Sequence, residues 1–197
     1  MTRQIIKGAL IFGLALILYS FTTPSGWFKA GSSPKSYYMG IDKNIGQNGK
    51  NSATIKSKEK KIKGFGTLMQ DCLPDQFLGK RVRMSGYLKT ENVTDWSGFW
   101  FRIDSKESNR PLGFDNMHDG KNDRSIKGTT DWTKYEIVLD VPLESSNLAY
   151  GALLVGRGQI WFDNITFEVV NENVPTTGEQ KEFLTPLKSP ANLDFEE

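Results

Sequence analysis

The chain from Trp27 to about Val170 consists of short runs in which apolar and polar residues alternate, separated by clusters rich in Gly, Asn and Asp. A period of two residues is typical of a β-strand with one buried face. No segment of this region sustains the period of about 3.6 residues that an α-helix requires. The pattern therefore predicts an all-β domain, a β-sandwich or jelly roll.

Residues 79–90 and 99–104 both alternate, so each is predicted to be a strand with one face in the core. The predicted core residues of these two strands are Val82, Met84, Leu88, Phe99, Phe101 and Ile103. The segment 91–98 between them contains Asn, Asp, Ser and Gly and is interpreted as a connection. A hairpin at that connection would place the outward faces of the two strands side by side.

Four outward-facing residues of these strands form the candidate ligand site: Tyr87, Lys89, Trp100 and Arg102. A sugar site needs flat apolar rings that stack on the C–H face of the sugar and planar polar groups that meet its hydroxyls. Trp100 and Arg102 supply one of each. The alternative is that Trp100 packs under a loop while Arg102 forms a salt bridge.

Two later runs complete the predicted sandwich. Residues 148–155 are apolar on both faces, which predicts a central strand. Residues 158–170 alternate, and the predicted core row of this closing strand is Trp161, Ile165, Phe167 and Val169. Asp163 would point inward with that row, so we expect it to accept a buried hydrogen bond that ties the sheet to a loop.

Oxygen-bearing side chains are concentrated between Phe114 and Asp123. Calcium takes six to eight oxygen ligands, and Asp115, Asp119 and Asp123 are the candidate metal ligands for a structural calcium ion. Their spacing does not match an EF-hand loop, and an ordinary solvated turn is the alternative. No other cofactor is predicted.

The composition excludes several kinds of site. Cys72 and His118 are the only cysteine and the only histidine, which excludes an internal disulfide and a zinc site built on several thiolates. Only one imidazole is available as a catalytic base, so the chain is predicted not to be an enzyme. A hydrolase that uses Asp115, Asp119 or His118 is a third alternative. The net charge of +2 gives no strong field for nucleic acid.

The segment Lys56–Lys63, with the sequence KSKEKKIK, is the most basic part of the chain. Lysine commonly protects the exposed edges of sheets, so the segment is interpreted as a solvated loop or edge. An anion-binding role is the alternative, but nothing in the flanking sequence supports it.

Residues 1–25 have the layout of a secretory signal. Arg3 and Lys7 precede an uncharged apolar run at 8–21, which is shorter than the about 20 residues that span a bilayer comfortably. The pattern predicts an exported domain. The segment is either cleaved as a signal peptide or kept as a hydrophobic helix that anchors the protein to a membrane through residues 5–21.

The chain after residue 173 is polar and spaced by prolines, so residues 174–197 are interpreted as a linker and tail behind a domain at 26–173. The last six residues, Asn192–Glu197, have an apolar and acidic alternation that is typical of an opening strand. They are either the first strand of a repeat that this chain lacks, or a strand that returns to pair beside Trp27.

Residues 26–178 resemble a galactose-binding-like jelly-roll domain of the broad type that includes carbohydrate-binding modules. The most specific segments are "GKRVRMSGYLKT", "FDNM…IKGTTDW" and the closing "IWFDNITFEV". More narrowly, they resemble a domain found in bacterial proteins often described as transcriptional regulators. The resemblance implies a non-catalytic module that binds glycans on a concave sheet or at loop tips, often with a structural calcium ion. Fold alone does not determine function.

The leading hypothesis is therefore an exported, non-catalytic module that recognises a carbohydrate or another cell-surface ligand on one sheet face. The alternative is a membrane-held sensory or protein-interaction domain linked to a regulatory system. The chain shows no helix-turn-helix pattern and no basic recognition helix, so we expect no nucleic-acid partner.

Overall fold

The computed structural model of the protein describes residues 21–107, 110–118 and 123–180. The predicted N-terminal hydrophobic helix and the tail at 192–197 lie outside these residues. Within them, no helix is long and apolar enough to cross a membrane. They form ten strands: β1 (Phe28–Ala30), β2 (Tyr37–Asp42), β3 (Ser52–Ser57), β4 (Phe65–Cys72), β5 (Lys80–Ser105), β6 (Gly113–Asp115), β7 (Ile126–Val141), β8 (Ser145–Val155), β9 (Gln159–Val170) and β10 (Glu179–Gln180). Two 3₁₀ helices, Pro34–Ser36 and Asp75–Phe77, connect strands.

The strands form two antiparallel layers that share one long strand, β5. Residues 80–91 of β5 lie between β7 and β9 in the back sheet, whose order is β2-β3-β9-β5-β7. Residues 96–105 of β5 lie between β8 and β6 in the front sheet, whose order is β1-β4-β8-β5-β6-β10. The predicted all-β sandwich is confirmed.

The hairpin predicted at residues 91–98 is wrong. The segment continues as strand, and the pairing of β5 with β7 shifts register three times between Leu88 and Ser97. Asn92 has a left-handed backbone conformation, with φ of 53°. Bulges of this kind bend a strand and increase its twist, so β5 passes from one sheet to the other instead of turning back on itself.

The core lies between the two sheets, and the six core residues predicted for β5 are all buried. Aromatic rings from the two layers interlock there. The ring of Phe99 in the front sheet meets that of Phe162 in the back sheet edge to face, with centroids 6.2 Å apart, and Tyr150 meets Phe167 at 4.7 Å. Such edge-to-face pairs contribute beyond the area they bury. The central position predicted for residues 148–155 is confirmed, since β8 lies between β4 and β5.

The predicted core row of β9 is partly wrong. Ile160 and Phe162 face the core, whereas the indole of Trp161 faces outward and donates a hydrogen bond to Asp42 at 2.8 Å. The alternation changes phase at Asn164, which has φ of 53°, and the pairing with β5 shifts at the same place. Asp163 does tie the sheet to a loop, because it accepts a hydrogen bond from the Gln47 amide at 3.1 Å, but this contact is exposed.

Part of the segment interpreted as a linker contacts the sandwich. The amide of Thr177 donates to the carbonyl of Val138 at 2.9 Å, and β10 pairs with β6. The described part of residues 174–180 therefore covers the β6 edge of the front sheet.

Candidate functional site

The outer face of the front sheet carries an apolar depression of about 300 Å³, which we call the front groove. It is lined by Ala30, Gly31, Phe65, Thr67, Met69, Trp96, Trp100, Arg102, Phe114, Asn116, Leu153 and Val155. The outward positions of four neighbouring strands, β4, β8, β5 and β6, supply most of these residues. This face buries a second apolar cluster, separate from the core between the sheets. Outward faces of antiparallel sheets are usually polar, so the apolar cluster marks this surface as unusual.

Trp100 forms the floor of the front groove. Its indole N–H donates a hydrogen bond to the Thr67 hydroxyl at 2.8 Å. Thr67 lies on β4, two strands away, a distance of about 10 Å when neighbouring strands are about 4.8 Å apart. The indole must therefore lie along the sheet, and Gly151, which is paired with Trp100 on the intervening strand, presents no side chain to obstruct it. The side chain is only 7% exposed, so Trp100 is a fixed floor and not a free-standing platform.

The walls of the groove are half-buried aromatic side chains. Phe65 of β4, Trp96 of β5 and Phe114 of β6 pack against the cluster around Trp100. Their partial exposure leaves ring surface open toward the depression. Of these residues, only Trp100 and Arg102 were predicted to form a binding site from the sequence.

Arg102 lies on the same outer face, where it forms the salt bridge that was the alternative expectation. Its Nε is 2.9 Å from Asp104 Oδ1, and its Nη2 donates to Asp104 Oδ2 at 3.0 Å. Asp104 is held in turn by the side-chain amide of Asn147 at 3.2 Å. A guanidinium has five N–H donors, so this pairing fixes the planar group and still leaves donors for a ligand.

His118 stacks on Trp96 at the edge of the groove, with ring centroids 4.5 Å apart and an angle of 20° between the ring planes. Its Nδ1 lies 3.3 Å from Asp123 Oδ1. Hydrogen bonds from Ser125, with a smaller contribution from His118, stabilise the Asp123 carboxylate and lower its pKa to about 2. The carboxylate and the imidazole thus hold the Trp96 wall from outside the groove.

Tyr87 and Lys89 do not join this site. They lie on the outer face of the back sheet, where Tyr87 is paired with Lys134 and Asp163. The Lys89 ammonium is 3.8 Å from Asp131. Because β5 changes sheets between Lys89 and Trp100, the two halves of the predicted ligand site face opposite directions. The sequence pattern gave the correct face of each half-strand but not the sheet to which it belongs.

The candidate metal ligands are engaged in protein contacts. Asp115 is buried, accepts the amide of Met117 at 2.7 Å and is paired with the Arg124 guanidinium. Asp123 is held by Ser125 and His118. Asp119 lies outside the described residues. In the described part of the chain, no three His, Cys, Asp or Glu side chains come close enough together to hold a metal ion.

Phe65 and Phe114 were missed, although the sequence carries a signal for the first. The run Phe65–Gln70 is apolar at both odd and even positions, which indicates a strand with two buried faces. Phe114 lies in a strand of three residues, too short for a periodic pattern to be detected.

Comparisons with known proteins bear on the fold. No protein-family model matches the chain. A Bacillus subtilis protein named as an uncharacterized HTH-type transcriptional regulator, YbfP, is 42% identical over 173 residues, which is 87% of this chain and 57% of that protein. The chain therefore spans a little over half of the length of the curated relative that it matches.

Solved structures with low sequence identity share the architecture. The CBM22-1 xylan-binding domain from Paenibacillus barcinonensis Xyn10C matches with a TM-score of 0.52 and 15% identity, over 75% of this chain and 88% of that one. The enzymatically active domain of bacteriophage CBA120 tailspike protein 4 matches with a TM-score of 0.53 and 12% identity, over 74% of this chain and 20% of that one. The fold is a jelly-roll β-sandwich. The fold prediction is thereby confirmed, while identities this low do not carry a ligand from one protein to the other.

Proposed function

We propose that this domain is a non-catalytic module that binds a carbohydrate in the front groove. The observation that carries the proposal is a flat indole floor, Trp100, enclosed by three half-buried aromatic walls on the outer face of a sheet. Aromatic rings beside a few fixed polar groups match the alternating C–H faces and hydroxyls of a sugar. The jelly-roll fold shared with a xylan-binding domain supports the same reading.

The groove has few polar groups, and hydrogen bonds or salt bridges to neighbouring residues fix their orientation. Arg102 is oriented by Asp104, and Asn116 is oriented because its side-chain oxygen accepts the amide of His118 at 3.0 Å. The volume of about 300 Å³ lies at the lower end of the range for ligand sites, about 300–1,000 Å³. The groove therefore suits a short segment of a sugar chain.

Trp96→Ala tests the proposal. The substitution removes a half-buried wall of the groove, and we expect affinity for a bound polysaccharide to fall at least about tenfold, because loss of a central aromatic contact commonly costs about 2 kcal/mol. Retardation in gels that contain soluble polysaccharides measures the affinity. Trp132→Ala is the matched control, because Trp132 is also half-buried but lies on β7 in the back sheet.

Trp96→Ala separates binding from folding better than Trp100→Ala does. The Trp100 side chain is buried, and removing a buried Trp costs about 3–5 kcal/mol of stability. Circular dichroism and thermal melting test whether Trp96→Ala and Trp132→Ala are folded. Equal binding by Trp96→Ala and Trp132→Ala would contradict the proposed groove, and wild-type protein that binds no polysaccharide in a broad panel would contradict the proposed function.

A non-catalytic role is consistent with the state of the two groups best suited to nucleophilic chemistry. Burial raises the pKa of the Cys72 thiol, which disfavours the reactive thiolate. The imidazole of His118 is stacked on Trp96 and paired with Asp123. Release of reducing ends from a bound polysaccharide, lost on His118→Ala, would overturn this part of the proposal.

A second candidate is a sensory domain of a regulatory system, favoured by the 42% identity to a protein named as a transcriptional regulator. The front groove would then detect its ligand for a partner. The full-length protein should in that case co-purify with a membrane protein, and added polysaccharide should change the amount recovered. Binding to polysaccharide without any such partner favours the first candidate.

We also propose that the domain acts outside the cytoplasm, on the basis of the charged and apolar layout of residues 1–25. Sequencing the N-terminus of the protein recovered from cells tests this. A start near Gly26 identifies a cleaved signal, an intact start in a membrane fraction identifies an anchor, and an intact start in the soluble fraction contradicts export.

A further inference from the structure

A second surface, the cationic groove, lies at one end of the sandwich. Two adjoining depressions of about 390 and 470 Å³ share Lys60 and Arg157. Their charged lining residues are Lys56, Lys58, Lys60, Lys61, Lys63 and Arg157, with Glu59, Glu91 and Asp95. Six basic and three acidic side chains give this surface a net charge of +3, which exceeds the +2 of the whole chain. Positive charge is thus concentrated on this surface, although the net charge of the whole chain is small.

The lysine-rich segment is held in place by its apolar residue. Ile62 packs against the core between the sheets, while Lys61 and Lys63 on either side of it are exposed. A simple solvated loop has no such anchor. The side chain of Ile62 therefore fixes the direction in which its two neighbours project.

Both ends of the segment are bonded to the turn between β8 and β9. At one end, the amide of Ser57 donates to the carbonyl of Gly158 at 3.0 Å, and the Gly158 amide donates to the Ser57 hydroxyl at 3.1 Å. At the other end, the buried Tyr37 hydroxyl donates to the carbonyl of Gly156 at 3.0 Å and lies 3.3 Å from that of Gly64. Burial raises the pKa of Tyr37 to about 12, so this hydroxyl stays protonated as a donor at neutral pH.

The same turn presents Arg157. Its amide donates to the Thr94 hydroxyl at 3.0 Å, and its carbonyl accepts the Thr94 amide at 2.9 Å. The backbone of Arg157 is thereby fixed, while its side chain is exposed and forms no ion pair within the described part of the chain. Lys60, Lys61 and Lys63 likewise form no ion pair with described residues. Cations that outnumber the acidic side chains on a fixed surface raise the local concentration of anions.

The cationic groove begins where the front groove ends. Phe65, Val155 and Trp96 are paired in one row across β4, β8 and β5, and all three line the front groove. Residues just beyond that row line the cationic groove: Lys63 before β4, Gly156 and Arg157 after β8, and Thr94 and Asp95 in β5. A chain that leaves the front groove across this row meets the basic side chains at once.

We infer that the ligand of the front groove is an acidic polysaccharide. Its sugar rings occupy the aromatic groove, and the carboxylate, sulfate or phosphate groups on the same chain bind the lysines and Arg157. This inference rests on the proposed function and specifies its substrate class. The continuity of the two surfaces favours one sugar chain over two separate ligands, since each surface supplies what the other lacks.

The experiment compares binding of dextran, polygalacturonate and dextran sulfate with that of inorganic polyphosphate, which carries charge without sugar. Lys61→Gln/Lys63→Gln and Arg157→Gln are the test variants. Lys43→Gln/Lys134→Gln is the matched control. Both lysines are exposed and belong to the back-sheet side of the domain: Lys43 directly follows β2, and Lys134 lies on β7. We expect the acidic polysaccharides to bind more tightly than dextran, with a steep loss in salt.

The double test variant should lose about tenfold in affinity for an acidic polysaccharide, because each exposed charge pair changes affinity by a few-fold. It should retain its affinity for any neutral polysaccharide that wild type binds, and the control variant should behave as wild type. Equal binding of neutral and acidic chains would overturn this inference and leave the proposed function intact. Polyphosphate binding as tight as that of acidic polysaccharide, unchanged by Trp96→Ala, would overturn the link between the two grooves. Binding of nothing in the panel would overturn both.

Discussion

At the scale of single residues, the front groove depends on the hydrogen bond between Trp100 and Thr67. The Thr67 hydroxyl accepts the indole N–H at 2.8 Å and donates to the carbonyl of Ala152 at 2.7 Å, and both contacts are buried. A Trp side chain could adopt other rotamers on an open sheet face. The single acceptor on β4 therefore selects the orientation in which the indole lies across the sheet.

Thr67→Val tests this role. Valine has nearly the same shape but no hydroxyl, so the buried indole N–H loses its acceptor and the Ala152 carbonyl loses the hydroxyl donor. We expect the free energy of unfolding to fall by about 1–3 kcal/mol, the cost of an unsatisfied buried polar group. Urea denaturation measures it. Thr133→Val is the control, because Thr133 is exposed and its substitution should change stability by less than about 0.5 kcal/mol. Equal losses in the two variants would contradict the role of the hydrogen bond.

At the scale of the strands, the course of β5 decides which residues can act together. Its first half contributes to the back sheet and its second half to the front sheet, and the change takes place over the bulged residues near Asn92. A strand without bulges would continue in one sheet. The location of Trp100 and Arg102 beside Phe65 and Phe114 thus follows from the irregular middle of β5.

Asn92→Val tests the bend. Asn tolerates the left-handed conformation at φ of 53°, whereas a β-branched residue does not. We expect Asn92→Val to cost about 1–2 kcal/mol of stability, the strain of that backbone region. Asn92→Gly removes the side chain but accepts the conformation, so it should stay close to wild type. Guanidinium denaturation compares the two, and an equal loss in both would show that the Asn side chain, not the backbone conformation, matters.

The sequence predicted the alternation within each regular strand but not its interruptions. Phe99, Phe101 and Ile103 face the core as expected, because a period of two leaves no choice once one face is apolar. The bulges at Asn92 and Asn164 exchange the inward and outward positions of the strand. Asn occurs both in bulges and in turns, so the sequence does not distinguish the two. The predicted hairpin and the predicted core position of Trp161 failed for this one reason.

The candidate site was predictable only in part, for a related reason. Trp100 and Arg102 were identified because they are neighbours on one strand. Phe65 and Arg157 come from segments far away in sequence, and only the pairing of β4, β8 and β5 brings them to the same region. The lysine-rich segment was visible in the sequence, but its anchoring by Ile62 and its position at the end of the front groove were not.

At the scale of the whole molecule, the two outer faces of the sandwich are chemically different. The back sheet presents paired charges, with Arg83 in salt bridges to Glu136 and Glu168 at 3.1 and 3.0 Å. The front sheet presents the aromatic groove. A face of paired charges offers a sugar ring little surface for stacking, so we expect binding on the front sheet only. Binding to the folded domain should also increase its free energy of unfolding.

Ligand binding should therefore raise the melting temperature. A ligand at about 100 times its Kd adds about 2.7 kcal/mol to the stability of the folded state. Each kcal/mol moves the Tm of a domain of this size by about 2–4 °C, so we expect a rise of about 5–10 °C with a saturating polysaccharide. Differential scanning calorimetry measures it, with Trp132→Ala as the variant that keeps the shift and Trp96→Ala as the one in which a roughly tenfold weaker affinity lowers the shift by about half. If Trp96→Ala kept the full shift, the ligand would bind elsewhere, because the loss of a wall of the occupied groove must weaken binding and thereby reduce the stabilisation.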